Sequence, residues 1–147
     1  MNEKDLWNKY RSIDPGATSY EAWCFCGGGK VGDELADLVI EGRKTATASV
    51  HELYRVENSP VPSKDGLSII LRSNGEAVCI IRTTDVRICR FCEVTPEHAY
   101  KEGEGDRSLE HWRKVHEECF SKELEEHGLP LNENIFVVCE TFQIELV

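Results

Sequence analysis

Lys44 and Thr47 are the residues whose types and spacing most directly offer chemistry. They stand in the stretch Glu41-Gly42-Arg43-Lys44-Thr45-Ala46-Thr47-Ala48-Ser49. An amine beside a hydroxyl is a base and nucleophile pair: the amine takes the proton and the oxygen attacks an electrophilic carbon. Gly42 follows an apolar run, Leu35 to Ile40, that reads as a short helix, and glycine suits the left-handed position after a helix end. Beyond it, Thr45, Thr47 and Ser49 alternate with alanines, the start of a strand with its hydroxyls on one face. Within a strand, Lys44 and Thr47 would point to opposite faces. Only a turn or bulge at the helix-to-strand junction brings both to one pocket. The alternative is a surface lysine beside ordinary strand threonines.

The elements that would hold this stretch follow from periodicity and turn chemistry. Residues 2–12 read as an amphipathic helix with Leu6, Trp7 and Tyr10, ended by Asp14-Pro15-Gly16. The glycine run Gly27-Gly28-Gly29 lacks the Lys-Ser/Thr of a phosphate loop and reads as a flexible lead-in to a helix over 33–41 capped by Asp33. A strand is expected over 45–53, then a proline-bearing loop. Leu67–Arg72 and Ala77–Arg82 flank Asn74-Gly75, the strongest short-range hairpin signal, and the second arm continues to Phe91 as a strand long enough to bend. Thr95-Pro96-Glu97 opens a helix carrying His98, Ala99 and Glu102 and stopping at Gly103. A longer helix is expected over 107–127, with Asp106 as cap and Leu109, Trp112, Val115, Cys119, Phe120 and Leu124 inward. His116 reads as a core-edge histidine. The last strand spans 135–146, alternating from Val138. This order gives an α+β chain, one domain over residues 1–147, in which a small curved sheet or barrel is packed by helices.

Charge narrows the partners. The net charge is −10, with 12 Lys+Arg against 13 Asp+Glu in residues 1–92 and 5 against 14 beyond. A protein that coats duplex phosphates carries the opposite sign, so extended duplex nucleic acid is excluded and a small ligand or short segment is favoured. No apolar run is long enough to cross a membrane. The N-terminus carries no secretory signal, so a cytoplasmic location and reduced thiols are expected for the seven cysteines. Cys24, Cys26, Cys89 and Cys92 suggest a four-thiolate zinc set at first sight. The Cys-x-Cys spacing is wrong for a knuckle and Cys89 falls in a strand, so they read as core thiols. No metal or organic cofactor is called for.

Two motifs in order add a family resemblance. Gly42-Arg43-Lys44-Thr45-Ala46-Thr47 resembles the Gly-x-Lys-x-x-Thr/Ser signature of the ASCH domain, which also follows a short helix. Thr95-Pro-Glu-His98-Ala99 with Glu102 is similar to the second motif of that family, and the hairpin and closing strand come in the matching order. The similarity spans about residues 20–147, and residues 1–19 look like the N-terminal helical extension of larger ASCH proteins. The resemblance implies a PUA-like small mixed β-barrel with a cleft lined by the signature, and binding of RNA or modified nucleosides. Small relatives are amidohydrolases that remove the acetyl group from acetylcytidine. Their catalytic Lys, Thr and Glu carry over to Lys44, Thr47 and Glu102. Some larger members are described as ribonucleases. The chain departs from the small amidohydrolases in its length, its first 40 residues and its long second helix.

Two function classes follow. In the first, Lys44, Thr47 and Glu102 hydrolyse an acylated nucleoside or RNA. A carboxylate close to Lys44 opposes its use as a base, so the two are expected to titrate as a unit. In the second, a non-catalytic module binds a nucleoside or short single-stranded RNA, with Trp23 as a stacking surface and Arg43, Arg82 and Arg87 as backbone contacts.

Overall fold

The structure is a computed structural model describing residues 1–147. In chain order the elements are α1 (Glu3–Ile13), β1 (Glu21–Trp23), α2 (Gly29–Ile40), β2 (Ala46–Val50), α3 (His51–Val56), β3 (Leu67–Leu71), β4 (Ala77–Arg90), α4 (Pro96–Glu102), α5 (Leu109–Glu125) and β5 (Phe136–Leu146). Single 3₁₀ turns lie at Phe25–Gly27 and Phe91–Glu93. The strands form one sheet in the order β1-β3-β4-β5-β2, antiparallel except for the parallel β1–β3 pair.

The hairpin forms where Asn74-Gly75 places it. Gly75 takes a positive φ of 87° and the Asn74 side chain accepts from the Glu76 amide. β4 is the strand that curls the sheet. Its first half pairs with β3, most of its length pairs with β5, and the β5 register shifts between Ile80 and Ile81 and again between Thr83 and Asp85. The product is a curled half-barrel. α1 and α2 cover opposite faces of the β3–β4 hairpin, as strand alternation requires: Ile69 and Ile80 meet Leu6 and Tyr10, while Ile70, Cys79 and Ile81 meet Ala36 and Val39. A third cluster joins α3, α4 and α5 to β2, β5 and the far end of β4 around Trp112, Phe91, Phe120 and Val137. Each fully buried Ile, Val or Phe contributes about 1.5–3 kcal/mol through area removed from water. Four of the fourteen acidic residues beyond residue 92, Glu110, Glu117, Glu118 and Glu125, lie on the exposed face of α5. No helix is long and apolar enough to cross a membrane.

Four local expectations need correcting. β2 stops at Val50 rather than running to Leu53, because its partner β5 begins at Phe136, opposite the residue after Val50. With no strand left to pair, the chain coils into α3 and buries Leu53 in the core. The glycine run is not a free lead-in, since α2 starts inside it at Gly29. Gly32 lies so close to the Phe25 carbonyl that a Cβ there would collide with it. Asp33 is therefore not a cap; it accepts from the amide and hydroxyl of Ser73 at 2.8 Å each and ties α2 to the hairpin. The cap of α5 is Ser108, whose side chain accepts from the His111 amide, and Asp106 instead accepts from the Ser108 amide. Finally, the thiols are not all free. Cys26 and Cys119, 93 residues apart, form a disulfide, because the turn after β1 lies against α5; Cys24, Cys89 and Cys92 do not join into one cluster.

Candidate functional site

Lys44 reaches the interior because of the turn between α2 and β2. Gly42 takes φ 79°, and the amides of Arg43 and Lys44 both donate to the Leu38 carbonyl, at 3.0 and 3.1 Å. Lys44 thus precedes the strand, and it and Thr47 line the same cleft despite their spacing. On the opposite side, Thr95 caps α4 by accepting from the His98 amide, and Glu102 is its last residue. Gly103 then turns left-handed at φ 75°. A Cβ on Gly103 would strike the Arg43 carbonyl, so the glycine lets the two chain segments lie against one another and brings Lys44 to Glu102.

These segments make the charged floor of a cleft of about 610 Å³. Lys44 is 2% exposed and Glu102 is fully buried. The Lys44 Nζ donates to Glu102 Oε1 at 2.9 Å and to Glu104 Oε1 at 3.4 Å. The other Glu102 oxygen meets His98 Nε2 at 2.7 Å and accepts from the Trp112 indole N–H. His116 approaches Oε1 with Nε2 at 3.4 Å while its Nδ1 donates to the Trp112 carbonyl at 2.8 Å. Burial alone would push the Glu102 carboxyl up, but Lys44 and His116 overcome it and hold Glu102 well below the usual carboxylate range. Likewise burial pushes His116 down, and the Glu102 charge more than reverses it, leaving the imidazole above its ordinary value. Glu102, Glu104 and His116 present ligand-type atoms within 4.8 Å of one another, and the Lys44 ammonium bridges the two carboxylates. A carboxylate at a helix C-terminus opposes the helix dipole, which makes this compensation necessary.

The sheet side of the cleft is different. Thr47 on β2 lies directly opposite Glu140 on β5, and directly opposite residues of an antiparallel pair share a face. Glu140 is 4% exposed, lines the cleft, and its Oε2 is a buried oxygen with no hydrogen-bond partner. Leaving such an atom unpaired costs about 1–3 kcal/mol. Burial pushes the Glu140 carboxyl up to about 7, against a Thr83 hydrogen bond and the Lys44 charge, which pull it down. Glu123 on α5, facing the same cleft, is also raised to about 7, first by burial and then by the Glu57 charge. Ser49 and Tyr54 are joined hydroxyl to hydroxyl at 2.6 Å on the same wall.

Of the residues singled out in the sequence, Lys44, Thr47, Glu102 and Trp23 line this one cleft. Trp23 is half-buried, edge-on to Phe25 with ring centroids 5.0 Å apart. Arg43 and Arg82 lie elsewhere. Arg43 clamps the carbonyls of Gly103 and Gly105 at 2.7 and 2.8 Å. Arg82 ties α1 to the sheet edge by donating to Glu145 at 2.7 Å and to the Tyr10 hydroxyl at 3.0 Å. Arg87 is exposed on the other side of the sheet, beside Thr95 and His98. His98 was legible as part of the second motif and Trp112 and His116 as core residues, and their shared acceptor is set by how α4 crosses α5. Glu140 did carry a signal: alternation along Val138, Glu140 and Phe142 puts an acid on a strand's buried face.

A family model for the ASCH domain matches residues 21–145. The crystal structure of an ASCH domain from Lactobacillus crispatus JV V101 is 30% identical, covers 98% of this chain and 94% of its own, and superposes with a TM-score of 0.88. That of a protein from Enterococcus faecalis V583 is 28% identical over 97% of this chain and 87% of its own, with a TM-score of 0.87. No curated protein matches the sequence. The curled sheet and its helices are those of the PUA-like ASCH fold.

Proposed function

Because this chain belongs to the ASCH-domain family, we propose that its cleft hydrolyses the amide of a small acylated nucleoside, of the acetylcytidine kind, with Thr47 as nucleophile over the Lys44–Glu102 floor. The observation that carries this reading is the meeting of Lys44, Thr47 and Glu102 in one cleft. The lining also selects among ligands. Lys44 is its one lysine or arginine, whereas it holds seven glutamates. Phosphodiesters are held by arginine and lysine. A neutral nucleoside suits these walls better than an RNA strand, and Trp23 adds an aromatic side chain to the lining for a base.

The geometry also supports a particular division of labour. An ammonium has three donors, and two of those on Lys44 are taken by Glu102 and Glu104. The third serves as an oxyanion donor as Thr47 adds to the substrate carbonyl. A Lys44 acting as base would leave the two carboxylates facing each other with no cation between them. Glu102 holds the lysine in place, and His98, Trp112 and His116 hold Glu102. The test is chromatography of acetylcytidine incubated with the protein. Cytidine is expected from the wild type and not from Thr47→Ala or Lys44→Ala. No turnover by the wild type, together with salt-dependent binding of a short single-stranded RNA, would favour the non-catalytic module instead.

A further inference from the structure

Neither Lys44 nor Glu102 is free to take up the hydroxyl proton. Both Glu102 oxygens are engaged, and the Lys44 ammonium is held by two carboxylates. Amide hydrolysis by a hydroxyl needs a group that takes the hydroxyl proton and passes it to the departing nitrogen. A buried carboxyl with an unpartnered oxygen stands directly across the strand pair from that hydroxyl. We propose that Glu140 is the general acid–base of the site, an inference that rests on the acyl-transfer reading of the cleft. As Thr47 Oγ1 bonds to the acyl carbon, its proton moves to Glu140 Oε2 and the carbonyl electron pair moves to the oxygen facing Lys44. When the tetrahedral adduct collapses, the C–N bond breaks and Glu140 returns the proton to the leaving amine. Water then attacks the threonyl ester, giving its proton to Glu140, which restores the Thr47 hydroxyl as the acid departs. The net reaction consumes one amide and one water and yields an acid and an amine.

The surroundings suit this cycling. Lys44 from the turn, Glu102 from α4 and Tyr54 from α3 interact with Glu140, and Glu57, Glu104, His116, Glu123 and Glu126 line the same cleft. Burial holds the carboxyl near 7, where ionised and protonated forms are both populated at neutral pH. Tyr54, raised to about 12 chiefly by burial, stays protonated and does not compete for the proton.

The experiment follows acetylcytidine turnover from pH 5 to 9, in parallel with acetylation of Thr47 by p-nitrophenyl acetate read by peptide mass spectrometry. Wild type and Glu140→Gln are compared. The expected wild-type kcat/KM rises through an inflection near 7. In Glu140→Gln, kcat is expected to fall by about 10²–10⁴-fold with KM little changed and the inflection lost. Variant activity within about threefold of wild type, or a wild-type profile without that inflection, overturns the proposal even if the variant folds poorly. If acetylcytidine is inert but Thr47 is acetylated and acetylation depends on Glu140, the substrate reading falls and the proposal stands. If neither reagent reacts, both fall.

Discussion

Two buried glutamates share one cleft and behave as opposites. Glu102, on the helix side, has both oxygens partnered by a lysine, two histidines and an indole, and is held ionised. Glu140, on the sheet side, has an orphan oxygen and is pushed up to about 7. Burial raises both; what separates them is the number of donors each neighbourhood supplies. A saturated carboxylate is part of the scaffold, whereas an unsaturated one keeps a position for a ligand or a proton. The Arg82–Glu145–Tyr10 network makes a third case: the same kinds of groups, partly exposed, fasten α1 to the sheet and never approach the cleft.

The largest effect should come from breaking the saturated side. Lys44→Ala leaves Glu102 buried without its nearest cation, and a loss of about 3–5 kcal/mol is expected in urea unfolding. The pH dependence comes next, and it separates the two carboxyls by sign. Glu102, depressed, contributes stability that is full above its unfolded value and drains as pH falls through the folded one. Glu140, raised, contributes stability that is full below about 4.5 and drains as pH rises through about 7. The wild type should therefore lose stability between pH 5 and 8, to which Glu123 and His116 add with the same sign. Glu140→Gln should reduce that loss by about 3 kcal/mol, seen in denaturant titrations at the two pH values. Trp112→Phe removes one donor from Glu102 and should cost about 1–3 kcal/mol while leaving the Glu140-dependent slope intact. Smallest is Arg82→Ala, which should change unfolding by about 1 kcal/mol or less and leave turnover unaltered. A large activity loss there would erase the distinction between fastening and functional networks.

Much of the fold was legible because it rests on local rules. The Asn74-Gly75 turn, the Thr95-Pro96 helix start and the extended, alternating runs of β4 and β5 are all set by residues near in sequence. The same holds for Lys44 with Thr47, whose convergence needed only the turn that Gly42 permits. Where a decision depended on a distant partner, local pattern gave no warning. β2 ends where β5 begins, 86 residues later, and Cys26 found Cys119 across the cleft. Arg43 and Arg82 looked available for a ligand, yet carbonyls and Glu145 absorb them.

By itself, then, the sequence determined most of the elements and the family, because backbone propensity and short-range turns are written in neighbouring residues. Tertiary structure alone decided which charges are neutralised. Partner count and burial are properties of how α4, α5 and the sheet close around one point, and they hold Glu102 ionised while leaving Glu140 near 7 with an oxygen to spare.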